Sequence, residues 1–196
     1  SPGIGVLAAD YDNDGAADLF VLRVAGSSLY RNDGKGHFAD VTRSAKLPSF
    51  PSLAGAAAFV DVDHDGDVDL LIAGLADIAA TRKQRSGPWE FPSGFAPAPL
   101  QLLRNNGNGT FTDITRAAKL ERRGHVIAVV PTDFDNHRDI DLLVVPAEGA
   151  PALLSNQRDG TFRDVSPEVG LTGPANGDER TTAVAVGDVN KDDYPD

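Results

Sequence analysis

The 196-residue chain carries 18 Lys and Arg against 29 Asp and Glu, a formal charge of −11, with 41% apolar and 24% charged residues. This is enough apolar residue for a sizeable core, and the negative balance argues against a nucleic-acid or anionic-membrane surface and in favour of cations as partners. Cys is absent, which excludes a disulfide scaffold, thiolate metal sites and a cysteine nucleophile, and no apolar run approaches the ~20 residues of a bilayer-crossing helix.

Taken from its start, the segment Ser1-Pro2-Gly3 is no signal peptide and Met is missing throughout, so the sequence reads as a processed or excised piece of something longer. Short apolar runs, Val6 to Ala9 and Leu19 to Val24, flank the acidic stretch Asp10-Tyr-Asp12-Asn-Asp14-Gly15-Ala16-Ala-Asp18. Runs this short, bounded by Gly, Asn and Asp, predict strands rather than helices. Next comes Leu29-Tyr-Arg-Asn32-Asp-Gly-Lys-Gly36-His-Phe38, in which the Asn and Gly residues supply positive φ for a hairpin turn and Phe38 is expected to point back into the core. The continuation Asp40-Val41-Thr42 runs on to Leu47.

The same series then returns. Further acidic loops run Asp61-Val-Asp63-His-Asp65-Gly66-Asp67-Val-Asp69, Asp133-Phe-Asp135-Asn-His137-Arg138-Asp139-Ile-Asp141, and Asp188-Val-Asn190-Lys-Asp192-Asp193-Tyr194-Pro-Asp196. Hairpins recur as Asn105-Asn-Gly-Asn-Gly109-Thr-Phe111 and Asn156-Gln-Arg-Asp-Gly160-Thr-Phe162, continued by Asp113-Ile114-Thr115 and Asp164-Val165-Ser166. Each unit offers about four strands, and four-stranded units repeating every ~50 residues are the mark of β-propeller blades. The fold expected is therefore all-β, a propeller with blades at residues 3–50, 54–122 and 125–173 and a partial blade at 181–196. Three blades and part of a fourth do not close a ring that takes 4–8, so the rest of the propeller or another chain is expected to cover the open edges.

One segment breaks the repeat: an insertion over roughly residues 76–100, holding Arg82, Lys83, Arg85, Trp89, Phe91 and Phe95. Two readings stand, a surface excursion tucked against its blade by the aromatics and a loop that contacts a ligand.

Carboxylates at positions 1, 3, 5 and 9 of a tight loop with Gly at 6 can converge on one hard cation, with the carbonyl at 7 adding an oxygen. Ca²⁺ suits such a cage because it takes six to eight oxygens in flexible geometry. The expected ligands are Asp10, Asp12, Asp14, Asp18 and the Ala16 carbonyl; Asp61, Asp63, Asp65, Asp69 and the Asp67 carbonyl; and Asp188, Asn190, Asp192, Asp196 and the Tyr194 carbonyl, giving about three ions. The loop of Asp133, Asp135, Asp139 and Asp141 is the weak one, because His137 offers nitrogen at position 5 and Arg138 takes the Gly position, with a guanidinium able to pair with the carboxylates. An EF-hand is excluded because position 12 is Val21, Ile72 or Val144 instead of Glu.

With these loops and hairpins together, the chain resembles the FG-GAP or VCBS-like repeats, whose acidic loops bind calcium in integrin α-subunit propellers. The R-N-x-x-G-x-F hairpin and D-V-T continuation are similar to bacterial relatives of the cartilage acidic protein associated with ASPIC/UnbV domains. The resemblance implies a seven-bladed, calcium-binding propeller of secreted or surface proteins that act in adhesion or ligand recognition.

Catalytic motifs are missing. His37, His64, His125 and His137 show no metal-protease spacing and read as surface or turn residues, and no nucleophile elbow, Walker loop or dinucleotide fingerprint occurs. The recurring Asp40, Asp113 and Asp164 sit at strand ends, where hydrogen bonding is expected. The expected function is thus a non-enzymatic, calcium-binding recognition or adhesion module, extracellular, surface-bound or periplasmic, with a protein or carbohydrate ligand, no nucleic acid and no membrane insertion. The alternatives are the propeller of a hydrolase or lyase whose catalytic residues lie elsewhere, or a structural spacer.

Overall fold

A computed structural model describes residues 2–24, 26–50, 52–84, 87, 89–173 and 180–191. The described residues form an array of three antiparallel meanders. The first contains β1 (Gly3–Ala9), β2 (Asp18–Arg23), β3 (Ser28–Asn32) and β4 (Phe38–Asp40). The second contains β5 (Leu53–Val60), β6 (Asp69–Ala76), β7 (Ala98–Asn105) and β8 (Phe111–Asp113), with β9 (Arg123–Gly124) added beside β7. The third contains β10 (Val126–Thr132), β11 (Asp141–Pro146), β12 (Ala152–Asn156) and β13 (Phe162–Asp164). Apart from the short β9 beside β7, every pairing is between consecutive strands, so each sheet is built on a four-stranded propeller blade, and the three blades form an arc that does not close.

The register is the same in all three blades. The acidic loop always starts after a pair that ends on the ninth loop residue, Ala9 with Asp18, Val60 with Asp69 and Thr132 with Asp141. The hairpin always closes on an Asn–Phe pair, Asn32 with Phe38, Asn105 with Phe111 and Asn156 with Phe162. Positive φ at Gly34 and Gly36, and at Gly107 and Gly109, lets these hairpins turn.

Burial follows from neighbours. In β2, buried and half-buried residues alternate, as in a strand with one covered face, whereas nearly all of β6 is buried because a blade lies on each side of it. Leu70, Ile72, Leu103 and Phe111 of the second blade pack with Tyr11, Phe20, Leu22 and Leu29 of the first. The alternate residues Leu71, Ala73 and Leu102 pack with Leu142, Val144, Leu154 and Phe162 of the third. The hydrophobic core is thus two inter-blade layers, and no blade owns one alone.

Backbone bonds continue the same junction. Phe111 N–H donates to Ala45 C=O at 2.9 Å and Phe162 N–H to Ala118 C=O at 3.0 Å, each tying a hairpin to the tail of the preceding blade. Close approach matters between β5 and β10, where a Cβ on Gly55 would lie 2.0 Å from the Val126 carbonyl oxygen. Phe38 corrects one expectation. It is 45% exposed, against 4% for Phe111 and 6% for Phe162, because no blade precedes the first among the described residues. Leu19 and Val21 are half-buried for the same reason, where their counterparts Leu70 and Ile72 are buried.

The insertion holds an element absent from the sequence reading, helix α1 (Ile78–Gln84), whose first turn is capped by Asp77 Oδ1 accepting from Ala80 N–H at 2.9 Å. After it, Phe95 packs with Trp89 and Phe91, and Phe91 meets the His125 ring edge-on. His125 is therefore no surface residue: it is half-buried, with Nδ1 2.8 Å from the Leu75 carbonyl. The aromatics tuck the insertion onto its blade while Trp89 stays 48% exposed; Arg85 lies outside the described residues.

Candidate metal centres

Each acidic loop is shaped by its own backbone. The fourth residue adopts positive φ in all four copies, at Asn13, His64, Asn136 and Lys191, and the sixth does so at Gly15, Gly66 and Arg138. The turn folds back on its first carboxylate: Asp10 accepts from Asp14 and Gly15 N–H, Asp61 from Gly66 N–H and Asp133 from Arg138 N–H. Arg138 takes the conformation that Gly takes elsewhere, at a cost of roughly 1–2 kcal/mol for a side-chain-bearing residue.

The result is the same cluster three times. Carboxylate oxygens of Asp10, Asp12 and Asp18 lie within 4.8 Å of one another, as do those of Asp61, Asp63 and Asp69, and those of Asp133, Asp135 and Asp141. Positions 1, 3 and 9 thus converge as read from the sequence, and this includes the third loop. Position 5 stands apart from these clusters: Asp14 accepts from Ala16 N–H and from Arg31, and Asp65 accepts from Asp67 N–H. The side chains at position 7 are committed elsewhere. Asp67 Oδ1 accepts from Asn13 Nδ2 of the preceding loop at 2.7 Å, and Asp139 takes the guanidinium of Arg158, which also reaches the His137 carbonyl. The guanidinium placed against the third loop is therefore that of Arg158, from the hairpin, while Arg138 contributes its backbone N–H. His137 Nδ1 lies 2.9 Å from Asp135 Oδ2. In the fourth loop, Asp188 accepts from Lys191 N–H, and Asp192, Tyr194 and Asp196 lie outside the described residues.

Position 9 is the anchor of each loop. Asp18, Asp69 and Asp141 are fully buried, and both carboxylate oxygens accept backbone bonds. For Asp69 these come from Val62 N–H at 3.1 Å and Asn105 N–H at 2.8 Å. Tyr11 and Asn32 do the same for Asp18, and Phe134 and Asn156 for Asp141. Burial pushes the carboxyl of Asp69 up to about 7 and that of Asp141 up to about 6, because neighbouring carboxylates and lost solvation disfavour the charge more than the backbone bonds favour it. Burial, followed by the charge of Asp65, also raises Asp63.

The hairpin Asn is the functional residue that sequence reading passed over as turn chemistry. Asn105 Nδ2 donates to the Tyr11 carbonyl of the first blade at 2.7 Å, and Asn156 Nδ2 to the Val62 carbonyl of the second at 2.8 Å. These side chains therefore connect one blade's acidic loop to the next blade's hairpin. Their signal was the recurrence of Asn at the same hairpin position in every unit. The recurring Asp40, Asp113 and Asp164 each accept the N–H of the hydroxyl residue two positions on, and Thr42, Thr115 and Ser166 in turn accept the N–H of Leu29, Leu102 and Leu153.

The donors fit a hard cation. One oxygen in each of the first three loops, Oδ1 of Asp12, Asp61 and Asp133, is buried without a hydrogen-bond partner. Leaving such a group unsatisfied costs about 1–3 kcal/mol or more when charged, and an all-oxygen set of clustered carboxylates suits Ca²⁺ rather than a soft metal.

The FG-GAP-like repeat family matches residues 4–72 and 133–196, and the chain belongs to it. The unmatched stretch contains the insertion. No curated protein matches the chain. Among solved structures, it is similar to an Agrocybe aegerita lectin, described by its specific recognition of non-reducing terminal N-acetylglucosamine, at 18% identity and a TM-score of 0.44. The likeness covers 81% of this chain and 37% of the lectin chain, so this chain spans little more than a third of that length. No helix among the described residues is long and apolar enough to cross a membrane.

Proposed function

We propose that this FG-GAP-like repeat protein is a calcium-stabilised, non-enzymatic binding module that works outside the cytoplasm and presents loops of its propeller arc to a protein or carbohydrate partner. The observation that carries the metal reading is the buried, unpartnered oxygen repeated at Asp12, Asp61 and Asp133, each inside a cluster of three carboxylates. Asp10, Asp12 and Asp18 hold one ion; Asp61, Asp63 and Asp69 hold a second; Asp188, Asn190, Asp192 and Asp196 belong to a third. The Asp133, Asp135 and Asp141 cluster is the weaker site, since His137 and Arg158 already place basic groups on its loop. A bound divalent cation neutralises charge that burial otherwise makes costly, which favours millimolar extracellular calcium as the working condition.

The uncovered front of the first blade, Leu19, Val21 and Phe38, matches the surface that blades two and three bury. The rear of another blade of this repeat is its partner.

Thermal unfolding of chelator-stripped protein, with and without millimolar Ca²⁺ or Mg²⁺, tests the metal reading. A rise of several degrees with Ca²⁺ and a smaller one with Mg²⁺ is expected; identical midpoints in all three conditions count against it.

A further inference from the structure

Arg31 stands just before the hairpin Asn of the first blade, and its guanidinium lies across the first acidic loop. Nε is 2.5 Å from Asp12 Oδ2 and Nη2 is 2.8 Å from Asp14 Oδ2, so one cation spans loop positions 3 and 5. The other oxygen of Asp12 is the buried, unpartnered one. Arg31 thus takes one oxygen from each of two expected ligands and leaves Asp12 Oδ1 untouched, while Asp12 remains clustered with Asp10 and Asp18.

The other blades provide the comparison. The corresponding residue of the second blade is Arg104, which forms no ion pair with its loop among the described residues; its charge is the least of the named influences on Asp63. In the third blade the position is Ser155, and the basic group comes instead from Arg158 onto Asp139, away from the three-carboxylate cluster. Among the described residues, the first loop alone has a guanidinium bridging two of its expected ligands.

We infer that Arg31 is a tethered counter-cation of the first loop. It holds Asp12 and Asp14 in place when no metal is bound and lowers the affinity of that loop for a divalent cation, so that the first and second loops fill at different concentrations. The inference rests on the metal reading above. Its physical basis is simple: a monovalent charge in contact with two carboxylates neutralises the loop in part, and a divalent ion in the cluster is repelled by that charge a few ångströms away. Asp14 joins the ligand set only when it leaves Arg31.

The test is calorimetric titration of Ca²⁺ into the stripped chain and into Arg31→Gln, Arg31→Lys and Arg104→Gln variants, with thermal unfolding of each in chelator. Arg31→Gln is expected to tighten one class of site about tenfold and to lower the unfolding midpoint in chelator. Arg31→Lys, which keeps the charge, stays within about threefold of the parent, and Arg104→Gln changes neither quantity appreciably. Calcium binding that is unchanged or weakened in Arg31→Gln overturns the counter-cation role while leaving the metal reading intact. No calcium binding by the parent chain overturns both. An unaltered midpoint in chelator refutes the claim that Arg31 stabilises the metal-free loop.

Discussion

Replacing Asn105 by Ala removes a buried side chain that connects the first two blades, and its cost can be worked out bond by bond. The amide donates to the Tyr11 carbonyl at 2.7 Å and the Val68 carbonyl at 3.2 Å, and its oxygen accepts from Gly107 N–H at 3.2 Å. Asn105 is 1% exposed and Tyr11 is buried, so the Tyr11 carbonyl is left without water to replace the lost donor. A buried polar group left unpaired costs about 1–3 kcal/mol, and the half-buried Val68 carbonyl and the exposed Gly107 N–H add about 0.5 kcal/mol each, for a total near 3 kcal/mol. Asn32 is the internal control. It makes the corresponding bonds to the exposed Ala17 carbonyl and Gly34 N–H but has no preceding blade, so Asn32→Ala should cost only about 1 kcal/mol. Equilibrium urea unfolding of both variants at one calcium concentration measures the difference. A gap of about 2 kcal/mol supports the inter-blade bond as a source of stability; equal losses refute it.

Phe111→Ala should destabilise by about 3–5 kcal/mol and Phe38→Ala by under about 1 kcal/mol, because only Phe111 has a blade in front of it; denaturant midpoints distinguish the two. Gly55→Ala forces a methyl to within 2.0 Å of the Val126 carbonyl, and should lower stability by more than about 3 kcal/mol, while Gly124→Ala, whose methyl meets Val126 Cγ2 at an ordinary 3.5 Å, costs under about 1 kcal/mol in the same assay. The double change His137→Asp and Arg158→Gln supplies the missing carboxylate at position 5 and removes the guanidinium from Asp139 of the third loop, and should add a tight calcium site to the calorimetric count. An unchanged count contradicts the view that those two residues are what weakens the loop.

Much of this architecture was legible because the repeat states it several times. Short apolar runs between Asp-rich and Asn-Gly segments gave the strands, and the spacing of Asp10, Asp12 and Asp18 gave the cluster that recurs in three loops. The convergence of Asp133, Asp135 and Asp141 despite Arg138 was harder to see, because a positive φ can be imposed on a non-glycine residue when surrounding bonds hold it. Phe38 was misread since a motif shows what a side chain can pack with, and only the assembled array shows whether a neighbour is there. Helix α1 was missed because seven residues carry too little periodicity to stand out, and its stop and start depend on the Asp77 cap and on aromatic packing after it. The reach of Asn105 to Tyr11 spans two blades, and no local pattern encodes it.

The most direct measurement is the stoichiometry of Ca²⁺ binding to the stripped chain, with the count repeated for Asp12→Asn plus Asp18→Asn and for Asp63→Asn plus Asp69→Asn. The first, second and fourth loops predict about three ions for the parent, selectivity over Mg²⁺, and the loss of one ion in each double variant. Absence of heat and of binding in the parent chain, or a count that neither double variant lowers, contradicts the assignment of these loops as calcium sites.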